Sequence, residues 1–69
     1  MKNESVFEKE YLTVSEVRNY LCISSTAAYE LIHRADFPVC HFGSVIRVPS
    51  KYFRLWIDQH TKVPAGLQM

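Results

Sequence analysis

Sixty-nine residues and 8.1 kDa hold one small domain, and a chain of this length buries only about 60% of the surface its unfolded form exposes, which leaves little room for an enclosed catalytic pocket. With 48% hydrophobic, 13% aromatic and 22% charged residues the composition is that of a folded protein and excludes disorder. A net charge of +1 is too small to announce a nucleic-acid partner by itself.

No apolar run approaches the 18 or so residues of a membrane helix, so no membrane partner is expected. The opening Met-Lys-Asn-Glu-Ser has none of the apolar character of a secretory signal. Cys22 and Cys40 lie far apart and inside apolar stretches, which reads as two reduced thiols behaving as small hydrophobes in a cytoplasmic protein. A zinc site would have to recruit His33 and His41, and that spacing matches no finger pattern; no metal or cofactor is expected. Charge is unevenly spread. Residues 1–23 set Lys2, Lys9 and Arg18 against four glutamates, whereas residues 24–54 set Arg34, Arg47, Lys51 and Arg54 against Glu30 and Asp36. The middle of the chain is the electropositive part.

The first ten residues are polar apart from Val6 and Phe7 and read as an N-terminal flank. Thr13-Val14-Ser15-Glu16 is a capping box, in which the Thr13 hydroxyl accepts from the Glu16 N–H and the Glu16 carboxylate reaches back. It predicts a helix to about Leu21 with Val14, Val17, Tyr20 and Leu21 on one face. Cys22-Ile23-Ser24-Ser25 breaks it with capping serines. A second helix is expected over Ser25 to Arg34, its apolar face being Ala28, Leu31, Ile32 and Ala35. Two short helices joined this closely make a helix-turn-helix unit.

Beyond Pro38, the runs Val39-Cys40-His41-Phe42 and Val45-Ile46-Arg47-Val48 flank a Gly-centred turn and read as a hairpin. A two-residue loop would put Arg47 on the face of Cys40 and Phe42. A three-residue loop, Gly43-Ser44-Val45, would gather Cys40, Phe42, Ile46 and Val48 on one face and His41 with Arg47 on the other. That segregated register is the expected one. A third helix follows over Lys51 to His60, with Ser50 as N-cap, a buried stripe of Phe53, Trp56 and Ile57, and Trp56 as the largest core contributor. Residues 61–69, with Pro64 and Gly66, read as a flexible tail after a domain spanning 11–60. The expected fold is α+β, mostly α.

A helix-turn-helix followed by a β-hairpin is a winged arrangement, and the residues go further than the order. Leu12-Thr13-Val14-Ser15-Glu16-Val17, Leu21-Cys22-Ile23-Ser24, Tyr29-Glu30-Leu31-Ile32, Phe37-Pro38, Phe42-Gly43, Arg47-Val48-Pro49, and Phe53 with Trp56-Ile57 together resemble the excisionase and MerR-like winged helix-turn-helix family. The match covers about residues 11–57 without an insertion. Val6-Phe7-Glu8-Lys9 looks like the N-terminal flank of excisionases from Gram-positive conjugative transposons. The resemblance implies a protein that binds and bends attachment-site DNA and helps a tyrosine recombinase excise a mobile element. The chain departs from the family at the turn, where glycine is frequent and Cys22 stands, and at Glu30, Val45 and Ile46, where basic residues are common. If the turn needs a positive φ, Cys22 is strained.

In that context Ser25, Thr26, Tyr29, Glu30, His33 and Arg34 are the expected DNA-reading residues of the second helix. Arg can pair with guanine, Glu can accept from cytosine N4 and Thr can meet a thymine methyl, while Ser25 and Thr26 sit where helix N–H groups hold phosphate. His41, Ser44 and Arg47 belong to the wing, with Lys51 beside it; Arg47 either follows the DNA backbone or minor groove or braces the hairpin against a carboxylate. Tyr52 and Leu55 are apolar on the outer side of the third helix. They either pack against the tail through Val63 or Leu67 or touch a partner protein. Expected partners are double-stranded DNA, a tyrosine recombinase and, through cooperative self-association on DNA, further copies of the chain. An operator-binding regulator on the same fold and a protein-binding adaptor are the alternatives. Ser24, His33, Asp36 and Cys40 could be drawn as a catalytic set, but so small a helical domain has no pocket to exclude water around them, and no enzymatic activity is expected.

Overall fold

The computed structural model describes residues 4–67. A 3-10 turn over Glu4–Glu8 leads into β1 (Tyr11–Leu12), α1 (Val14–Leu21), α2 (Ser25–Ile32), β2 (Cys40–Phe42), β3 (Val45–Pro49) and α3 (Ser50–Gln59), and a last 3-10 turn spans Ala65–Leu67. This is the α+β winged helix-turn-helix, with one strand more than the hairpin: β1 pairs antiparallel with β3, giving the order β1-β3-β2. Two residues are too few to show an alternating pattern, so β1 carries no periodic signal in the sequence.

The capping box forms as expected. The Glu16 N–H donates to the Thr13 hydroxyl at 3.0 Å and the Thr13 N–H to the Glu16 carboxylate at 2.9 Å. Lys9 reaches the same carboxylate from the flank. Its hydrogen bond, and then that of the Thr13 backbone, holds Glu16 below the usual carboxylate range. α1 ends at Cys22, whose φ of 58° and ψ of 47° lie in the left-handed region. It is the one non-glycine residue with positive φ among the described residues. The Ile23 N–H then closes on the Arg18 carbonyl at 3.2 Å, a C-terminal cap that glycine makes without the Cβ penalty. Cys22 is exposed rather than packed, so it offers little in return. Cys22→Gly is expected to stabilise the domain by about 1 kcal/mol, read as a thermal midpoint higher by about 4–8 °C.

Ser24 caps α2 by accepting from the Ala27 N–H at 3.1 Å. The helix stops at Ile32 with His33 as its C-cap, two residues before the predicted end at Arg34. Ala35 therefore leaves the helical face and is exposed, while Ala28 and Ile32 stay buried.

The hairpin takes the two-residue loop, not the three-residue one. Phe42 faces Val45, His41 faces Ile46 and Cys40 faces Arg47. Gly43 supplies φ +66° at the first loop position, as a type II′ turn requires. Arg47 thus shares the outer face with Cys40, Phe42 and Val45, and His41 lies on the opposite side with Ile46 and Val48. The reason lies at the base of the wing. In this register Val39 packs on the core beside Ile46, where the other register would have placed Cys40. Toward the tip neither face is covered, so burial does not select the register there and turn geometry does.

Leu12, Val17, Val48 and Phe53 are the largest fully buried side chains, joined in the core by Ile32 and Phe37. Phe53, not Trp56, is its aromatic centre, with rings of Phe7, Tyr20 and Phe37 at 5.8–6.0 Å. Trp56 is half-buried between Phe37 (4.9 Å, edge-on) and His60 (4.0 Å, stacked), and its indole N–H is enclosed without a partner. The N-terminal flank joins the same core: Val6 and Phe7 pack against it, and the Arg54 guanidinium lies 5.1 Å above the Phe7 ring. Residues 1–3 of that flank lie outside the described residues.

Pro49, not Ser50, is the α3 N-cap. Ser50 is buried and turns its hydroxyl to the Lys9 and Glu10 carbonyls, while its N–H donates to Glu10 at 3.0 Å. It fastens β1 to the start of α3. Of the predicted tail, residues 61–66 are exposed; Gln68, Met69 and the Leu67 side chain lie outside the described residues.

Candidate nucleic-acid interface

α2 packs against α1 with Ala28 and Ile32 buried and Leu31 half-buried against the core, and its outer face is open. Ser25, Thr26, Tyr29 and Glu30 are all exposed on it, and His33 and Arg34 are exposed just past its end. The Ala28 N–H opens the helical ladder on the Ser24 carbonyl at 3.0 Å, so the N–H groups of Ser25 and Thr26 precede the ladder and have no partner within the helix. Tyr29 and His33 form one unit, their rings 4.3 Å apart and the His33 Nδ1 2.8 Å from the Tyr29 carbonyl. That contact leaves the His33 Nε2 and the Tyr29 hydroxyl as the remaining side-chain polar atoms of the pair.

α2 itself contains no basic residue and one acidic one. Arg34 stands in the turn behind it with its guanidinium forked on Asp36, Nε to Oδ1 at 2.8 Å and Nη2 to Oδ2 at 3.0 Å. The Arg34 hydrogen bonds hold the Asp36 pKa at about 2. The pair is thus ionised on both sides and locally neutral. Sequence reasoning weighed Asp36 as a charge opposing the basic groups and did not pair it with Arg34; the Arg-x-Asp spacing directly after a helix end was the available signal.

The wing residues divide. Ser44 sits in the exposed turn and His41 is exposed beside it, but Arg47 lies across the sheet from His41 and half-buried. Its Nη1 donates to the Ile46 carbonyl at 2.9 Å, so it braces backbone and not a carboxylate. Lys51 is exposed in the first turn of α3, its ammonium 5.7 Å from the Tyr52 ring. The outer face of the sheet carries an exposed apolar group that the sequence reading missed: Tyr11 and Phe42 meet edge-on at 5.9 Å beside Val45. Strand pairing of β1 brings Tyr11 there.

Tyr52 and Leu55, both about half exposed, line a shallow groove of about 330 Å³ with Phe37, Pro38, Trp56 and Gln59. The groove runs between α3 and the segment that follows α2. Among the described residues no group of His, Cys, Asp or Glu is placed to hold a metal ion, and no helix is long and apolar enough to cross a membrane.

Among the described residues, α2 and the hairpin each present exposed hydrogen-bonding groups, Ser25, Thr26, Tyr29 and Glu30 on the helix and His41 and Ser44 on the hairpin. Comparison with curated proteins and with solved structures returns no match. Residues 11–61, which run from β1 past the end of α3, match the family model of the helix-turn-helix domain, and on that match the chain belongs to the helix-turn-helix family and binds DNA in a sequence-specific manner.

Proposed function

We propose that this chain is an excisionase-type DNA-binding protein that works in the cytoplasm on the attachment sites of a mobile element. α2 enters a major groove with Ser25, Thr26, Tyr29, Glu30 and His33, followed by Arg34. The hairpin tip with Ser44 and His41 lies along the adjoining backbone or minor groove, and Arg47 and Lys51 supply charge at its base. The observation that carries this reading is the capped α1–α2 unit with its outer face open beside a projecting hairpin. A protein so weakly charged binds weakly alone, so the role rests on several copies on neighbouring sites or on a tyrosine recombinase bound beside them.

Footprinting on the ends of the host element, with and without the recombinase, tests it. Protected repeats near the recombinase sites, and excision that depends on the chain, are expected. Protection of a promoter alone, with no effect on excision, would establish an operator-binding regulator instead. On the protected site Thr26→Ala and Tyr29→Ala are each expected to weaken binding about 5- to 150-fold, the range of one base contact. Lys62→Ala, at an exposed position beyond α3, is expected to change it little. The reverse ranking in a titration would remove α2 as the reading helix.

A further inference from the structure

Arg34 belongs to the turn behind α2, where its N–H donates to the Leu31 carbonyl at 3.1 Å and its carbonyl accepts from the Phe37 N–H at 3.3 Å. The Asp36 carboxylate lies between this turn and the end of α3. One edge of the Arg34 guanidinium binds it at 2.8 and 3.0 Å, and the His60 Nε2 stands 3.4 Å from Oδ2. His60 is itself held, stacked on Trp56 with Nδ1 2.8 Å from the Trp56 carbonyl. The carboxylate is therefore oriented from two elements.

A guanidinium has five N–H donors, and the fork uses one from Nε and one from Nη2. The Nη1–Nη2 edge remains. Two parallel donors on that edge match the O6 and N7 acceptors of guanine in the major groove. Toward phosphate the arrangement is poor, because the pair is neutral and an approaching phosphate meets the Asp36 charge beside the cation. A guanine edge carries no net charge and asks only for the two donors.

We propose that Asp36 is a specificity-determining residue that converts Arg34 from a phosphate-binding cation into a guanine reader. It does so by occupying one edge of the guanidinium and cancelling its charge. This rests on the reading of α2 and its following turn as the face turned to DNA. Both side chains are about half exposed, 54% and 47%, so the pair adds little to stability and the variants keep the fold.

The test titrates the full chain onto a duplex carrying the footprinted site and onto a scrambled duplex, over a range of salt, for the wild type, Asp36→Asn, Arg34→Ala and the double variant. Asp36→Asn is expected to tighten binding to the scrambled duplex and to steepen the log–log salt dependence by about 0.9, one added phosphate contact. Its preference for the site is expected to fall about 5- to 150-fold, the discrimination of one bidentate base contact. Arg34→Ala is expected to lose the preference without the gain in scrambled binding. In the Arg34→Ala background Asp36→Asn is expected to leave the salt dependence unchanged. If it steepens the dependence equally there, Asp36 acts as a bare negative charge and the proposal is wrong. If Asp36→Asn keeps the wild-type preference, the proposal fails alone. If the wild type itself does not prefer the footprinted site, the placement of α2 fails and takes the proposal with it.

Discussion

Phe53→Ala is expected to abolish cooperative folding at ordinary temperatures. The Phe53 side chain is wholly buried and meets the rings of Phe7, Tyr20 and Phe37, so it joins the N-terminal flank, α1 and the segment after α2 to α3. Truncating such a side chain costs roughly 3–5 kcal/mol, about the whole stability that a single core of this size supplies. Circular dichroism melts check this, with loss of the sigmoidal transition as the expected result. Trp56→Ala is expected to be milder and to leave a folded protein with a lowered midpoint. Its ring is half-buried, and its enclosed N–H without a partner offsets part of what the packing contributes. If Trp56→Ala proves the more damaging of the two, the centre of the core lies at the α3 end of the groove and not at Phe53.

DNA binding by one protomer is expected to weaken about 40-fold between about 50 and 200 mM salt, which follows from a log–log slope of about −2.7 for three neutralised phosphates. The three are Arg47, Lys51 and Arg54. Arg34 drops out because Asp36 already holds it, and Lys9 because it is spent on Glu16. Affinity useful at physiological salt then has to come from linkage between protomers or with a recombinase. Tyr52 and Leu55 beside the groove, and the chain beyond residue 60, are the surface proposed for that linkage. Titrations on duplexes with one, two and three sites check both parts. Binding is expected to rise cooperatively with site number, and removal of residues 61–69 to reduce the cooperativity while single-site affinity stays nearly intact. Tight, non-cooperative binding of one protomer to one short site would overturn this and favour the operator-binding regulator.

Local chemistry makes much of the fold legible in the sequence alone. Thr13 and Glu16 announce the start of α1 because a capping box needs only residues three apart. Ser24 does the same for α2, Gly43 announces the hairpin although not its loop length, which the sequence put at three residues, and the strain expected at Cys22 follows from one Cβ in a left-handed position. The open face of α2 is legible for a related reason: helical periodicity sorts Ala28 and Ile32 from Thr26, Tyr29 and Glu30 without reference to anything distant.

Contacts between elements decided the rest. β1 is a strand only because β3 lies beside it, and Ser50 is a tie rather than a cap because the Lys9 and Glu10 carbonyls reach it from 40 residues away. The hairpin register turned on whether Val39 or Cys40 meets the core, two apolar residues between which a pattern of hydrophobicity cannot choose. Aromatic weight pointed to Trp56, but burial belongs to Phe53, since the flank and α1 close over one and leave the edge of the other open. Arg34 stands between the two cases. Its neutralisation by Asp36 is local, two residues away and open to a sequence reading, whereas His60 reaches the same carboxylate only because α3 returns to it. Caps, periodicity and such short-range ion pairs act over one or two helical turns and are written in nearby residues; strand pairing and burial depend on which distant groups arrive, and only the folded chain brings them together.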